Sequence, residues 1–344
     1  MKKIILILII TLGLASCEKE ERVIDNSKIS LDLYLADSIT NDVSIYDYPA
    51  MEVVKSDLLK SNGVEINSPI TTIREFQRKV YFFVPNEDKV IVFDAIADTL
   101  ITINEFPFGS GPIDISFANP ADGIVIFRSA PYIIIYDLVF NKIARTLADK
   151  SIIKSASTFQ SYSYLCESQT KNVAVFDNRS YTTESKVELT GNPVLSTVTS
   201  ESELLVVTLG TTTQEPNGEP ITTPTQIHFL NLENKSLRIS RDLGDNVIPA
   251  NEVIPNDIIS TSFGYSYITS KKGLLRLDTR NNGAFIDVSK RIFEKIEYSA
   301  QLKSLLLLEK TGTEVNLAQG SAVNGVVVGS IGLPSNTNTF HMSY

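Results

Sequence analysis

The sequence predicts an all-β protein, a seven-bladed β-propeller whose ring is closed when the C-terminal strand completes the first blade. Three observations favour this fold class. The composition is rich in residues that strands prefer, with 16 Phe and 13 Tyr beside many Ile, Val and Thr. A strand-like segment recurs seven times along the chain, at intervals of 40 to 54 residues. One further strand-like segment remains at the C terminus.

The recurring segment is an alternating apolar strand that ends on a polar residue. Four clear copies are Val43–Asp47, Val90–Asp94, Ile133–Asp137 and Val173–Asp177. Looser copies end at Asn231 and Asp278, and the most degenerate copy ends at Gln319. Because four short strands with their turns take about 40 to 50 residues, each copy marks one propeller blade.

The polar residue at the end of each copy has a local structural role. Its side-chain oxygen can accept backbone N–H groups of the following turn, which joins the third strand of a blade to the fourth. The sequence therefore predicts structural turn caps, and not a catalytic ring, at Asp47, Asp94, Asp137, Asp177, Asn231 and Asp278.

The third unit shows the four strands of a blade most clearly. Pro112–Ser116 is the innermost strand, Gly123–Phe127 the second, the strand ending at Asp137 the third, and Lys142–Thr146 the outermost. Small hydroxyl residues suit the crowded centre of the ring, and they recur on the innermost strands at Thr71, Thr72, Ser116, Ser155, Ser157, Ser196, Thr197 and residues 260–262.

The two ends of the repeat array predict how the ring closes. The first unit begins at Ile29 with a second strand and lacks an innermost one, whereas Thr339–Tyr344 forms a strand after the last unit has ended. Pairing the two ends removes open sheet edges, so residues 29–344 are expected to form a single seven-bladed domain. No helix is expected in this domain.

The N terminus predicts export. Lys2 and Lys3 precede an apolar run, Ile4–Leu14, that is too short to cross a bilayer of about 30 Å and is followed by small residues. Residues 1–16 therefore form a signal peptide, and residues 17–28 an acidic tether that begins at Cys17. The alternatives are an ordinary secretory signal with a chance cysteine, and a tether that is merely solvated.

Charge and cysteine content exclude several classes of function. The formal net charge is −9, and without Lys2 and Lys3 it becomes 29 − 40, or −11. Neither nucleic acid nor an anionic lipid surface attracts such a chain. Beyond Cys17, at which the mature chain begins, Cys166 is the only cysteine, so no intramolecular disulfide is expected within the folded body, and a buried position on a strand is expected for Cys166.

Leu14-Ala15-Ser16-Cys17 resembles the lipobox of bacterial lipoproteins, and Glu18–Glu21 is similar to the acidic, Lys-containing export tag of Bacteroidota-type surface lipoproteins. With seven propeller units behind them, these motifs resemble the YVTN/YncE-like surface propeller lipoproteins. The resemblance implies acylation of Cys17, with palmitate among the chains, and an exposed position on the outer membrane. It also implies an outer-membrane transporter or a surface complex as partner.

The sequence offers little catalytic or metal-binding chemistry. The only histidines are His228 and His341, on distant strands, so neither a zinc site nor a Ser-His-Asp triad is expected, and no cofactor motif is present. Asp114 and Glu297 both fall on innermost strands and can face the channel, where like charges would raise a pKa. The simpler alternative is that they are solvated wall residues.

Binding has better support in the loops on one face of the ring. Blade five enlarges two of them, residues 211–225 and 244–255, and irregular loops of this length are often functional. The candidate binding residues on this face are Phe106, Phe108, Tyr132, Glu215, Asn217, Asn246, Arg291 and Phe293, although the three Phe side chains could instead pack inward between blades. We therefore expect a non-catalytic binding or scaffold propeller; the alternative is an extracellular glycan hydrolase or lyase.

Overall fold

The computed structural model describes residues 31–148, 151–210, 212–213, 221–222, 224–243, 255–281 and 283–343, without the side chains of residues 148, 212, 213, 221 and 222. Within these ranges the chain forms seven four-stranded antiparallel sheets and one short two-stranded hairpin. The predicted signal peptide, the tether and Cys17 lie outside the described residues.

Each four-stranded sheet is one blade, numbered here from the N terminus with its strands given from the innermost outwards. Blade 1 contains β30 (Thr337–Met342), β1 (Leu31–Asp37), β2 (Val43–Tyr48) and β3 (Glu52–Lys55). Blade 2 contains β4 (Thr72–Phe76), β5 (Lys79–Val84), β6 (Lys89–Asp94) and β7 (Thr99–Glu105). Blade 3 contains β8 (Pro112–Phe117), β9 (Asp122–Phe127), β10 (Tyr132–Asp137) and β11 (Lys142–Ala148). Blade 4 contains β12 (Ile153–Phe159), β13 (Tyr162–Glu167), β14 (Asn172–Asp177) and β15 (Thr182–Glu188).

The second half of the ring follows the same plan. Blade 5 contains β16 (Asn192–Val198), β17 (Glu203–Leu209), β20 (Gln226–Asn231) and β21 (Ser236–Asp242), with β18 (Thr212–Thr213) and β19 (Ile221–Thr222) as an inserted hairpin. Blade 6 contains β22 (Pro255–Ser260), β23 (Tyr265–Ser270), β24 (Gly273–Asp278) and β25 (Ala284–Ser289). Blade 7 contains β26 (Phe293–Ser299), β27 (Ser304–Thr311), β28 (Glu314–Ser321) and β29 (Val327–Leu333).

The C-terminal strand closes the ring, as the sequence predicts. β30 pairs antiparallel with β1, so that Leu35 lies opposite Phe340 and Tyr34 opposite His341. The seven innermost strands contact one another in an unbroken circuit, in the order β30, β4, β8, β12, β16, β22, β26 and back to β30. The predicted seven-bladed all-β architecture is therefore confirmed.

The hydrophobic core lies between successive blades. Between blades 2 and 3, Tyr81 and Phe83 of β5 pack with Val125 and Phe127 of β9, and all four side chains are buried. The outermost strands face solvent instead, and six of the seven residues of β15 are exposed. Because each sheet can bury its inner faces only against its neighbours, a single blade cannot be stable alone.

The expectation that the domain contains no helix is wrong. The connection from blade 1 to blade 2 contains a short helix α1 (Leu58–Ser61), and a 3₁₀ turn (Pro85–Glu87) follows β5. Leu58 is buried at the edge of the core. The carboxylate of Asp42 accepts the N–H groups of Leu59 at 2.7 Å and Lys60 at 3.2 Å, which stabilises the first turn of the helix.

The repeat's polar end residues lie at the turns between third and fourth strands. Side-chain oxygens accept the N–H of the residue two positions on, over 2.8 to 3.1 Å, at Asp94, Asp137, Asp177, Asn231 and Asp278. Asp47 holds its turn through its backbone carbonyl, which accepts the N–H of Met51. In blade 7 the side-chain acceptor is Ser321, two residues beyond Gln319, because β28 is longer than the other third strands.

In the part of the chain that the structure describes, no helix has the length and apolar character needed to cross a membrane.

Candidate functional site

The centre of the ring holds two adjoining cavities of about 390 and 360 Å³. Both are walled by innermost strands, and they share Arg74 of β4, Asp257 of β22, and Thr158 and Ser196. The smaller cavity lies against blades 3 and 4, and the larger one extends to blades 6, 7 and 1. We call the two together the channel site.

Arg74 is the principal cation of the channel site. Its Nε and Nη2 donate to the two carboxylate oxygens of Asp114, both over 2.7 Å, so the neighbouring blades 2 and 3 are joined by a bidentate ion pair. The Asp114 carboxylate raises the pKa of Arg74 despite burial. Asp114 therefore lines the channel, as its position in the sequence suggested, but its charge is already compensated.

Glu297 is the second acid that the sequence placed in the channel, and it too is paired. Its carboxylate lies 2.9 Å from Lys295 Nζ and 3.3 Å from His341 Nδ1, and it accepts the N–H of Met342 at 3.1 Å. Although burial alone would raise the pKa of Glu297, Lys295 and His341 outweigh it and hold that pKa far below its ordinary value. The expectation that like charges would raise it is wrong, because cations surround this carboxylate.

His341 of the closing strand β30 lies near a carboxylate on each of the two neighbouring blades. Its Nδ1 faces Glu297 of blade 7, and its Nε2 lies 3.5 Å from Glu75 of blade 2. Burial opposes protonation of the imidazole, yet Glu297 and Glu75 together raise its pKa above the ordinary value. Lys295 Nζ also donates to the Phe340 carbonyl. We call Glu297, Lys295, His341 and Glu75 the seam cluster.

Asp257 is the acid whose pKa the channel raises. Its carboxylate accepts the N–H of its neighbour Ile258 at 2.8 Å and that of Ile296 at 3.2 Å. Burial raises its pKa, and this outweighs the opposing effects of Arg74 and the two N–H groups. Since Asp257 borders both cavities, it is the carboxyl group best placed to meet a ligand.

Hydroxyl side chains make up much of the remaining wall. Ser196 Oγ lies 2.8 Å from Ser155 Oγ and 2.9 Å from Ser157 Oγ, and Ser116 Oγ lies 2.9 Å from Thr158 Oγ1. A hydroxyl group can donate and accept, so these contacts can be exchanged for contacts with a polar ligand.

The candidate binding residues of the loop face separate into exposed and buried groups. Phe108 is fully exposed. The carboxylate of Asp88 holds its loop, because it accepts the N–H groups of Gly109 and Gly111 at 2.7 Å and the hydroxyl of Ser110 at 3.2 Å. These hydrogen bonds lower the pKa of Asp88 even though burial opposes ionisation. Phe108 is thus presented to solvent on an ordered loop.

Phe106 and Phe293 do not belong to that exposed group. Phe106 packs edge-on against Phe127, with ring centroids 5.4 Å apart, and Phe293 is completely buried between blades 6 and 7. Their expected exposure is wrong, because the inter-blade cores bury both rings. Arg291 is engaged with the carboxylate of Glu309, and Tyr132 is only partly buried beside Phe127.

The remaining residues singled out from the sequence are either outside the described ranges or have structural partners of their own. Glu215, Asn217 and Asn246 lie outside the described residues. His228 is buried and hydrogen-bonded to Thr208 and Ser240, and burial lowers its pKa. Burial raises the pKa of the Cys166 thiol to about 12. Among the residues that the structure describes, no group of three or more His, Cys, Asp or Glu is arranged to hold a metal ion.

Arg74, Asp257 and Lys295 are the site residues that sequence reasoning missed. Each is a charged residue on an innermost strand. For Asp257 a signal was present in the sequence, because it stands two residues after a proline and before an isoleucine, as Asp114 does.

Comparison with known proteins identifies the fold class. No family model and no curated protein matches the chain. A functionally unknown protein from Desulfotomaculum acetoxidans superposes with a TM-score of 0.66 at 11% identity, over 91% of this chain and 99% of that one. A candidate 6-phosphogluconolactonase from Bacteroides fragilis has a TM-score of 0.66 at 9% identity, over 92% and 99%. A second one, from Bacteroides uniformis, has a TM-score of 0.64 at 11% identity, over 91% and 99%.

The chain is therefore a seven-bladed β-propeller, like these three structures. At identities this low the likeness concerns the fold alone.

Proposed function

We propose that this chain is a non-catalytic binding propeller, anchored by lipid to the outer membrane, which holds a small polar ligand in the channel site. One observation carries the binding role: Arg74, Asp114 and Glu297, three strong charges of the channel, are already paired. Arg74 is bound to Asp114, and Glu297 is bound to Lys295 and His341. What remains for a ligand is the set of hydroxyl groups, the carboxyl group of Asp257 and the ammonium group of Lys154, which lines the smaller cavity and donates to the Arg128 carbonyl.

These groups favour a neutral ligand that carries several hydroxyl groups, such as a sugar. The cavities of about 390 and 360 Å³ fall within the roughly 300 to 1,000 Å³ of small-molecule sites. Ser155, Ser157, Ser196 and Thr158 can each donate to or accept from a ligand hydroxyl. A wall built from hydrogen-bonding groups also selects strongly against analogues that lack the matching hydroxyl.

The membrane anchor and the partner rest on the N-terminal motifs. Acylation of Cys17, an acidic segment at Glu18–Glu21 and a propeller body are together similar to surface propeller lipoproteins. Two acyl chains, at about 0.8 kcal/mol for each buried CH₂, would hold the chain firmly in a bilayer. We propose that the propeller delivers its ligand to an outer-membrane transporter or serves as a subunit of a surface complex.

A second candidate function is hydrolysis in the channel, of a glycan or a lactone. Asp257 favours it, because a carboxyl group with a raised pKa can carry the proton that a general acid needs. The names of the two Bacteroides structures point in the same direction. Against it, Asp114 and Glu297 are each bound to a cation, so the channel has no second uncompensated carboxylate among the residues described.

One set of variants separates the two functions. Galactose, maltose and gluconolactone are titrated into the protein by calorimetry, and hydrolysis of maltose and the lactone is followed in parallel. A binding role predicts saturable binding without turnover. It also predicts that Ser196→Ala, which removes a hydroxyl group that borders both cavities, weakens binding roughly tenfold. Ser236→Ala on the outer strand β21 is the matched control.

The Asp257→Asn variant tests the second candidate function, hydrolysis in the channel. Turnover by the wild type that this variant abolishes would establish hydrolysis and overturn the binding role. Binding that neither Ser196→Ala nor Asp257→Asn weakens would place the ligand outside the channel.

A further inference from the structure

The turns between the third and fourth strands all lie on one face of the propeller, opposite the loop that carries Phe108. We call them the cap turns: residues 48–51 in blade 1, 95–98 in blade 2, 138–141 in blade 3, 178–181 in blade 4, 232–235 in blade 5, 279–281 in blade 6 and 322–326 in blade 7.

The tips of the cap turns divide into two chemical classes. Blades 2, 3 and 7 present large apolar side chains to solvent, with exposed fractions of 68% for Ile96, 57% for Val139, 71% for Phe140 and 45% for Val323. Blade 1, which lies between blades 7 and 2, exposes Pro49 and Ala50.

The corresponding tip residues of blades 4, 5 and 6 are polar and exposed: Arg179 and Ser180, Glu233 and Asn234, Arg280 and Asn281. The apolar tips therefore occupy one continuous sector, formed by blades 7, 1, 2 and 3.

Exposed apolar residues are also most frequent on the outer strands of this sector, on β3, β7 and β29, at Val53, Val54, Ile101, Ile103 and Val328. The outer strands of blades 5 and 6 expose one such residue each, Leu237 and Ile286. Exposed apolar residues that gather in one sector mark a contact with a partner or a membrane.

The chain enters the propeller in the middle of the same sector. Leu31, the first residue of β1, lies opposite Tyr48, where the cap turn of blade 1 begins. Cys17 is 14 residues before Leu31. At about 3.3 to 3.6 Å per residue, even a fully extended tether keeps Leu31 within about 50 Å of the anchored cysteine.

We propose that the apolar sector of the cap-turn face rests on the lipid surface of the outer membrane. This inference depends on the lipid anchor of the proposed function. The occupant is lipid because the anchored tether joins the propeller within this sector. Lys142 Nζ lies 5.3 Å from the Phe140 ring centroid, so an apolar ring and a cation meet at one tip, as in segments that sit at a membrane interface. Phe108 then lies on the opposite side, toward the exterior.

The absence of Trp from the sequence provides a direct test. Phe140→Trp places a single fluorophore on an apolar tip, and Arg179→Trp places one on the polar tip of blade 4. The full-length, acylated variants are purified from bacterial membranes. Each is then reconstituted into vesicles of phosphatidylcholine, which carries no net charge, with or without brominated acyl chains.

The proposal predicts that the emission of Phe140→Trp moves to shorter wavelength on reconstitution and is quenched by brominated lipid, whereas that of Arg179→Trp is unchanged. Equal quenching of both variants, or quenching of neither in protein that floats with the vesicles, would overturn the membrane contact and leave the anchor standing. Protein that does not float with the vesicles would overturn the anchor itself.

Discussion

The seam cluster holds the closing strand β30 against blade 7 through the buried carboxylate of Glu297. Glu297→Gln is therefore the single change that tests most clearly what stabilises the closed ring. Glu297 is only 7% exposed and meets Lys295 at 2.9 Å, His341 at 3.3 Å and the N–H of Met342 at 3.1 Å. Removing one partner of a buried ion pair costs about 3 to 5 kcal/mol, because the other charge stays buried without compensation. Lys295 keeps its contact with the Phe340 carbonyl and His341 keeps Glu75, so we expect the lower end, about 3 kcal/mol.

The measurement is equilibrium unfolding in urea at pH 6, with Glu294→Gln as the control. Glu294 lies on the same strand and pairs with Lys310 at 2.7 Å, but Glu294 is about half exposed and Lys310 is partly exposed. Exposed pairs contribute about 0 to 1 kcal/mol, so the control should unfold nearly like the wild type. If the two variants lost the same stability, the seam cluster would not hold the closing strand and this reasoning would be refuted.

Three further outcomes follow from the structure. Because the pKa of His341 is raised in the folded state, its contribution to stability is complete below about pH 6.5 and is lost as pH rises through the folded-state pKa. Urea unfolding between pH 6 and 9 should therefore show a steeper fall in the free energy of unfolding for the wild type than for His341→Gln. Asp88→Ala leaves three donors of the Phe108 loop without their acceptor, so it should destabilise that loop by about 1 to 3 kcal/mol. Hydrogen exchange at the Gly109 amide should then become faster, and an unchanged exchange rate would contradict the role of Asp88 in holding the loop. Gly273→Ala puts a Cβ 1.9 Å from a backbone carbonyl oxygen at a residue with a φ of +124°, so the free energy of unfolding should fall by more than about 1 kcal/mol. Gly329→Ala is the control and should be nearly neutral in thermal unfolding, because its Cβ meets nothing within 4 Å.

Much of the fold could be predicted because its signals are local. A period of alternating apolar residues and a polar turn residue marks each blade, and a missing first strand with a surplus last strand marks the closure. The helix at Leu58 was missed because its stabilising carboxylate, Asp42, comes from a different connection. A four-residue helix has no periodicity that a sequence pattern could reveal.

The candidate site was predicted less completely, for a physical reason. Asp114 and Glu297 could be placed in the channel from their strands alone. Their partners could not, because Arg74 and His341 are about 40 residues away and belong to other blades. The loop face shows the same limit: Phe106 and Phe108 are two residues apart in one loop, yet one ring fills the core between blades and the other meets solvent.

Closure of the ring by the C-terminal strand is the claim on which the channel, the seam cluster and the apolar sector all depend. A cross-link between Ala36→Cys and Thr339→Cys tests it most directly, because these residues lie opposite each other on β1 and β30. Facing residues on paired antiparallel strands have Cβ atoms about 4.5 to 5.5 Å apart, close enough for a disulfide after a small adjustment. Ring closure predicts that mild oxidation of the folded double variant gives an intramolecular disulfide and faster migration in non-reducing gels, with no shift in either single variant. A double variant that is folded yet gives no cross-link would contradict closure by the C-terminal strand.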